Sequence, residues 1–370
     1  MQFKDIVGQQ AVKAKLISGV KEGRIPHAQL FLGPEGSGNL PLALAYAQYI
    51  ACANRGEDDS CGACPNCIKY SKIIHPDLHF TFPTVGSKEI SDNFMEEWRS
   101  TFLANPYLNV FDWLMALEAE NKQGNITVDE CRNIIKKLSL KSFEGNFKVL
   151  IMWMPEYLGK EGNTLLKLIE EPPQKTLFLL VANSDEQILT TIKSRTQLVK
   201  IPALQQADVQ DALVERYGAE VEAARASAFL SEGNLNLAVQ MLSQTENNFF
   251  DSFRNWMLMC YKNDMNGVMG WIDDASTLGR EMLKHFLAYG LHIFRECLIY
   301  KNTDGHLVKL TEKERDFVSK FANFLTPATI EKISNTFNDG IYHIERNANA
   351  KITLINISLL IKNNLAAKAG

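Results

Sequence analysis

The chain has 370 residues, 46% hydrophobic and 22% charged, with a formal net charge of −4. That is the balance of an ordinary globular protein of two or three domains, and it leaves no surplus of positive charge to hold nucleic acid by bulk attraction. Every long apolar run is interrupted before the roughly 18–20 residues of a membrane span, and the opening MQFKDIVGQQ has no apolar core of a signal peptide, so a cytoplasmic location is expected.

In chain order, AQLFL (28–32) reads as a short buried strand and PLALAYAQYIACA (41–53) as a helix. Between them, GPEGSGNL stands in the strand–turn–helix setting of a phosphate-binding loop. Gly33 and Gly38 fall in the register of G-x-x-x-x-G-K-[ST], and Gly36 lies between them. The lysine position holds Asn39, however, and the Ser/Thr position holds Leu40. A working loop cradles phosphates on backbone N–H groups, neutralises them with the lysine and holds Mg²⁺ with the hydroxyl. Asn39 carries no charge and Leu40 no oxygen. The stretch is a relic of such a loop or simply a glycine-rich turn.

Of seven cysteines, Cys52, Cys61, Cys64 and Cys67 are clustered as C-x8-C-x2-C-x2-C. In a cytoplasmic chain that spacing favours metal over disulfides. Four thiolates fill the tetrahedral shell of Zn²⁺ and leave no position for a reacting water, which predicts a structural zinc. Iron–sulfur ligation is the rival, since C-x2-C-x2-C also opens ferredoxin-type runs. His75 and His79 follow closely and could ligate, but four cysteines suffice. Residues 80–125, dense in aromatics and irregular in pattern, read as an insertion packed on the side of an α/β domain.

KVLIMWM (148–154) is a second strand, apolar throughout as parallel strands are. An ATPase places acidic residues at the end of this strand; here Trp153 and Met154 occupy those places and Glu156 lies two residues beyond. GNTLLKLIEEPP (162–173) reads as a helix stopped by Pro172 and Pro173, TLFLLVAN (176–183) as a third strand ending at Asn183-Ser184, and KSRTQLVKIP (193–202) as a turn and last strand. That turn carries Ser194-Arg195-Thr196. An arginine on a rigid turn can reach a phosphate on a neighbouring subunit; the plain alternative is a surface ion pair. Strands alternating with helices give an α/β domain with a parallel sheet over residues 1–203. A small helical domain is expected over 204–246 and a larger helical one over 247–370, where Met282, Phe286, Leu287, Leu291, Phe294 and Leu298 step by three or four.

Taken together, FKDIVGQ (3–9), RIPHAQLFLGPEGSG (24–38), the cysteine spacing, NTLLKLIEEPP (163–173), SRT (194–196) and ERNANAK (345–351) resemble the clamp-loader branch of the AAA+ proteins. Within it the pattern is similar to the non-motor, delta-prime-type subunits of bacterial DNA polymerase III. Those lose the lysine, the hydroxyl and the acidic pair but keep the arginine, although Thr196 stands here in place of a cysteine. The resemblance implies a RecA-like α/β domain, a helical lid and a helical collar that joins a hetero-pentamer. It implies motor subunits of the tau/gamma type and a delta subunit as partners, with the sliding clamp and primed DNA reached through the complex. It implies that Arg195, with Ser194 beside it, serves the ATP site of a neighbour, that Cys52, Cys61, Cys64 and Cys67 hold zinc, and that Gly33, Gly36 and Gly38 form a loop without ATP. An active or nucleotide-sensing ATPase, a zinc-dependent DNA-binding protein on an inactive scaffold and a loader-like repair factor stand as alternatives.

Overall fold

In the computed structural model the chain forms two compact units, Met1–Leu242 and Ser243–Gly370. The structure describes residues 1–119, 122–243, 249–278, 280–303, 305, 308, 310–346 and 348–366. The domain boundary expected at 246–247, positions 120–121 of the aromatic segment and Asn347 of ERNANAK lie outside these.

The first unit runs through α1 (Gln10–Lys21), β1 (Ala28–Leu32), α2 (Asn39–Ala51), α3 (Pro65–Ser71), β2 (Leu78–Thr81), α4 (Met95–Ala104), α5 (Val110–Ala116), α6 (Val128–Ser139) and β3 (Lys148–Trp153). A 3-10 segment, Pro155–Leu165, then leads to α7 (Leu166–Glu170), β4 (Thr176–Ala182), α8 (Thr190–Lys193), β5 (Gln197–Lys200), α9 (Gln206–Tyr217), α10 (Val221–Leu230) and α11 (Leu235–Ser243). Among the described residues the strands form one five-stranded sheet in the order β2-β3-β4-β1-β5, and every pairing is parallel. Helices cover both faces. On one, Phe31, Ile151, Trp153, Leu179 and Val181 pack with α1, α2, α4 and α5. On the other, Leu30, Leu150, Met152, Phe178 and Leu180 pack with α6, α7 and α8. Because both faces of β3 and β4 are buried, these central strands read as nearly unbroken apolar runs rather than alternating ones, whereas the edge strand β5, QLVK, is mostly exposed.

Three local differences from the sequence reading have physical reasons. The strand β2 went unread because LHFT is only four residues long and follows a proline-containing turn. The helix expected over 162–173 opens as 3-10 up to Leu165 and is α-helical only over Leu166–Glu170, and Gly159 (φ 50°, ψ −138°) breaks the segment before it. The aromatic segment is also more regular than its pattern suggests. Trp98 of α4 stacks on Phe82 at 4.3 Å and meets Trp113 of α5 edge-on at 5.2 Å, and all three are fully buried. Such ring pairs add about 0.5–1.5 kcal/mol each beyond area burial, and they pin the segment to the sheet.

The second unit is helical: α12 (Phe249–Lys262), α13 (Met265–Ala275), α14 (Arg280–Thr303), α15 (Glu312–Phe321), α16 (Pro327–Glu345) and α17 (Ala350–Ala366). Its centre is aromatic. Trp256 stacks on Trp271 at 4.5 Å and donates from Nε1 to Ser358 Oγ at 2.9 Å. Among the described residues no helix is long and apolar enough to cross a membrane.

Candidate functional site

The order of strands places a topological switch at the carboxyl ends of β1 and β4, where α/β sheets bind ligands. Gly33–Gly38 lies there, between β1 and α2. Gly38 caps α2 in the left-handed region (φ 85°), as a tight strand-to-helix turn requires. Gly33 N–H donates to Ala182 O at the end of β4, at 3.2 Å.

Asn39 turns inward. Its Nδ2 lies 3.1 Å from each of Gly33 O, Ala182 O and Asn183 Oδ1, and its Oδ1 accepts Leu40 N–H at 2.8 Å. The donor at the lysine position is thus engaged with the loop's own carbonyls. Leu40, 2% exposed, is a core residue. Gln9 of the N-terminal box donates from Nε2 to Ser37 O (3.0 Å) and Pro202 O (2.7 Å), tying that box to the loop and to the end of β5.

A polar strap closes the loop from above. Gly36 (φ 69°) lies so close to Asn234, which precedes α11, that a Cβ there would fall 1.8 Å from Asn234 Oδ1. Glu35 Oε1 accepts from Asn109 Nδ2 (3.0 Å) and Asn234 Nδ2 (3.3 Å). Asp112 accepts from Asn109 N–H (3.0 Å), Asn236 Nδ2 (2.6 Å) and Gln240 Nε2 (3.2 Å), while Asn105 Nδ2 donates to Asn236 Oδ1 at 2.7 Å. Tyr107 completes the closure. Its hydroxyl accepts Val7 N–H at 2.9 Å, and its ring would touch a Cβ on Gly38 at 3.0 Å. Tyr107 shares an apolar cluster with Val7, Leu204, Leu213 and Leu235. Burial pushes its hydroxyl up to about 12 against the lowering effect of the Val7 hydrogen bond.

At the end of β3, Met154 is left-handed (φ 58°) and Pro155 begins the 3-10 segment, which brings Glu156 back toward β4. Glu156 Oε1 accepts the N–H groups of Asn183 (2.7 Å) and Ser184 (3.0 Å). Among the described residues its Oε2 is buried without a hydrogen-bond partner. Burial raises this carboxyl above the usual range, opposed by the backbone hydrogen bonds. Asn39, Asn183 and Glu156 thus form one connected group beside the loop.

Arg195 lies elsewhere. Gln197 pairs in register with Gln29 and Lys200 with Leu32. Arg195 therefore precedes the amino end of β5, while the loop follows the carboxyl end of β1. At about 3.3 Å per residue they are separated by more than about 13 Å of strand. Arg195 Nε donates to Glu170 Oε2 at 3.1 Å and its NH1 to Thr191 O at 3.0 Å. Ser194 Oγ donates to Thr191 O at 3.1 Å.

The four cysteines expected as ligands converge between the end of α2 and the start of α3, with their Sγ atoms all within 4.8 Å of one another. Cys52 and Cys64 Sγ are 4.0 Å apart, and Cys61 and Cys67 Sγ 3.9 Å. A tetrahedron with metal–sulfur bonds of about 2.3 Å has edges of about 3.8 Å, so the group could hold a metal ion. Two backbone donors support the sulfurs, Cys61 N–H to Cys52 Sγ and Cys64 N–H to Cys61 Sγ, each at 3.3 Å. The amides of Ala63 and Cys64 hold the Cys61 thiol below its ordinary value. His75 and His79 do not belong to the group. His75 Nδ1 accepts Asp77 N–H at 3.1 Å, and burial holds His79, on β2, down to about 4.

The loop glycines and Asn39 therefore come together with Glu156, whereas Arg195 and the cysteines stand apart. Sequence reasoning missed Tyr107, Asn109, Asp112, Asn234, Asn236 and Glu170. Only Asn109-x-x-Asp112 left a signal, as a capping box at the start of α5.

The model of the family described as "DNA polymerase III, delta subunit" matches residues 8–205. A DNA polymerase III subunit tau/gamma of Haemophilus influenzae is 26% identical over 57% of this chain and 25% of its own. A subunit tau of Escherichia coli is 27% identical over 65% of this chain and 32% of its own. A subunit delta' of Bacillus subtilis is 26% identical over 56% of this chain and 52% of its own. The chain thus spans between a quarter and about half of the length of these relatives.

Proposed function

The chain belongs to the family described as DNA polymerase III, delta subunit, and from that premise we propose that it is a delta-prime-type, non-motor subunit of a bacterial clamp loader. In this reading it joins tau/gamma-type motor subunits and a delta subunit in a hetero-pentamer in the cytoplasm. Through that complex it helps load the sliding clamp onto primed DNA. The observation that carries the non-motor reading is Asn39, whose amide is turned onto Gly33 O, Ala182 O and Asn183 Oδ1. No cation faces the loop from that position, and Leu40 offers magnesium nothing. Tyr107 and Asn234 supply the packing over the glycines, which supports a rigid stator rather than a nucleotide-driven mover.

Arg195 supports the complementary half of the reading. It lies at the opposite end of the sheet strands from its own loop, out of reach of a nucleotide held there, which supports a partner outside this chain. An arginine supplied in trans is worth about 10³–10⁵ in turnover at the neighbour's ATP. Ser194 braces the turn that carries it. Cys52, Cys61, Cys64 and Cys67 would hold a structural zinc, whose bonds would cross-link the end of α2 to α3.

The test is a titration of the purified chain with ATP and Mg²⁺. No binding up to millimolar ATP is expected. Micromolar binding would overturn the reading in favour of a nucleotide-sensing or hydrolysing subunit, for which Glu156 would offer an acidic group beside the loop.

A further inference from the structure

We propose that Glu170 is a positioning residue for Arg195: its carboxylate holds the inner edge of the guanidinium so that the outer edge faces a neighbouring subunit. The proposal rests on the reading of Arg195 as a residue acting in trans.

The guanidinium has five N–H donors in a fixed planar fork. Two are engaged within the chain, Nε–H by Glu170 Oε2 at 3.1 Å and one NH1 hydrogen by Thr191 O at 3.0 Å. Among the described residues the second NH1 hydrogen and the two on NH2 have no partner, and they include the edge that can grip a phosphate bidentately. Both clamps are themselves fixed. Thr191 lies in α8, whose last residue Lys193 donates from Nζ to Asp185 Oδ2 (2.9 Å) and Asp185 O (3.0 Å). Thr196 Oγ1, on the far side of the arginine, donates to Ile192 O at 3.2 Å. Glu170 ends α7, whose Ile169 is 1% exposed and sits in the core beneath the sheet, and the helix is stopped by Pro172-Pro173.

Stability does not explain the pair. Its side chains are 32% and 58% exposed, and exposed ion pairs contribute little to folding. The effect on placement is larger. Without the carboxylate, the guanidinium keeps a single anchor and rotates about the long arginine stem. Its ordering must then occur in the transition state, where a misplacement of about 1 Å can cost on the order of 10²-fold. ATP itself is held by the neighbour's loop, so its KM is independent of Glu170.

The experiment uses the loader reconstituted with its motor and delta subunits, clamp and primed DNA, and measures steady-state ATP turnover. The variants are Glu170→Ala, Glu170→Gln, Arg195→Ala and the double variant Glu170→Ala/Arg195→Ala. Glu170→Ala should lower kcat about tenfold at unchanged KM for ATP and unchanged melting temperature of the chain. Glu170→Gln, which keeps a neutral acceptor, should fall between it and the wild type. Glu170→Ala should cost nothing further once Arg195 is alanine. If Arg195→Ala slows turnover but Glu170→Ala leaves it unchanged or speeds it, the positioning role is refuted and the trans reading survives. A Glu170→Ala effect confined to KM or to loader assembly refutes it equally. If Arg195→Ala itself has no effect, the trans reading falls and this inference falls with it.

Discussion

Replacing Asn39 by leucine tests whether that residue is a structural plug. Leucine keeps the same branched heavy-atom skeleton and leaves no cavity, so the loss considered is that of the hydrogen bonds. The Nδ2 group has two hydrogens shared among Gly33 O, Ala182 O and Asn183 Oδ1, and Oδ1 accepts one more from Leu40 N–H. Three bonds at about 0.5–1.5 kcal/mol net, in a residue 6% exposed, give a loss of roughly 2–4 kcal/mol. For a unit of this size that lowers the melting temperature by roughly 5–15 °C, read by calorimetry on the transition of the first unit. A loss below about 1 kcal/mol would mean that the carbonyls find other donors easily and that the plug is incidental. The companion variant Asn39→Lys restores the charge that phosphate loops use. It should still bind no ATP, because Tyr107 and Asn234 remain over the glycines. Micromolar ATP binding by Asn39→Lys alone would show that only the lysine was missing and that the closure of the loop was misread.

The cysteine group should bring down one zinc per chain on purification, and Cys64→Ser should reduce the metal content and lower the thermal stability; a native chain free of zinc by elemental analysis refutes the site. Stability should fall as pH drops from about 6.5 to about 4, because the unfolded chain protonates His79 while burial keeps it neutral in the fold. The loss at pH 5 is about 2 kcal/mol, and His79→Asn should flatten that part of the profile; an unchanged slope would refute the assignment. Asp112→Ala removes the acceptor shared by Asn109, Asn236 and Gln240, so amide exchange over residues 235–242 should quicken at least tenfold, and unchanged protection would mean that the strap does not hold α11.

Most of the sheet was legible because its strands are buried on both faces and carry long apolar runs, as KVLIMW and TLFLLVA do. The four cysteines were legible because they lie close together in the chain, three of them as C-x2-C-x2-C, and the fold brings their sulfurs together. The strap was not, because Asn105, Asp112, Asn234 and Asn236 reach their partners across more than a hundred residues. Polar contacts of that range leave no periodicity in the sequence. Arg195 was legible as a residue but not as a geometry. The surface ion pair is present, and it takes one edge of the guanidinium only, so it does not exclude the phosphate-reaching reading.

The glycines pose the sharper lesson. Gly33, Gly36 and Gly38 stand where a phosphate loop would have them, and that invites the conclusion that phosphate selects them. In this chain each has a different reason to be glycine. A Cβ on Gly33 would fall 2.6 Å from Ile201 O, one on Gly36 would strike Asn234 and one on Gly38 would press Tyr107, and the last two glycines adopt positive φ. Those contacts come from the end of β5, from the residue that precedes α11 and from the aromatic segment, not from a nucleotide. Such a turn needs neither a lysine nor a hydroxyl, because the residues packed over it demand the same close approach that a phosphate would. Glycines at these places are therefore explained by packing alone, and the residue that distinguishes this turn from a working loop is Asn39 rather than any glycine.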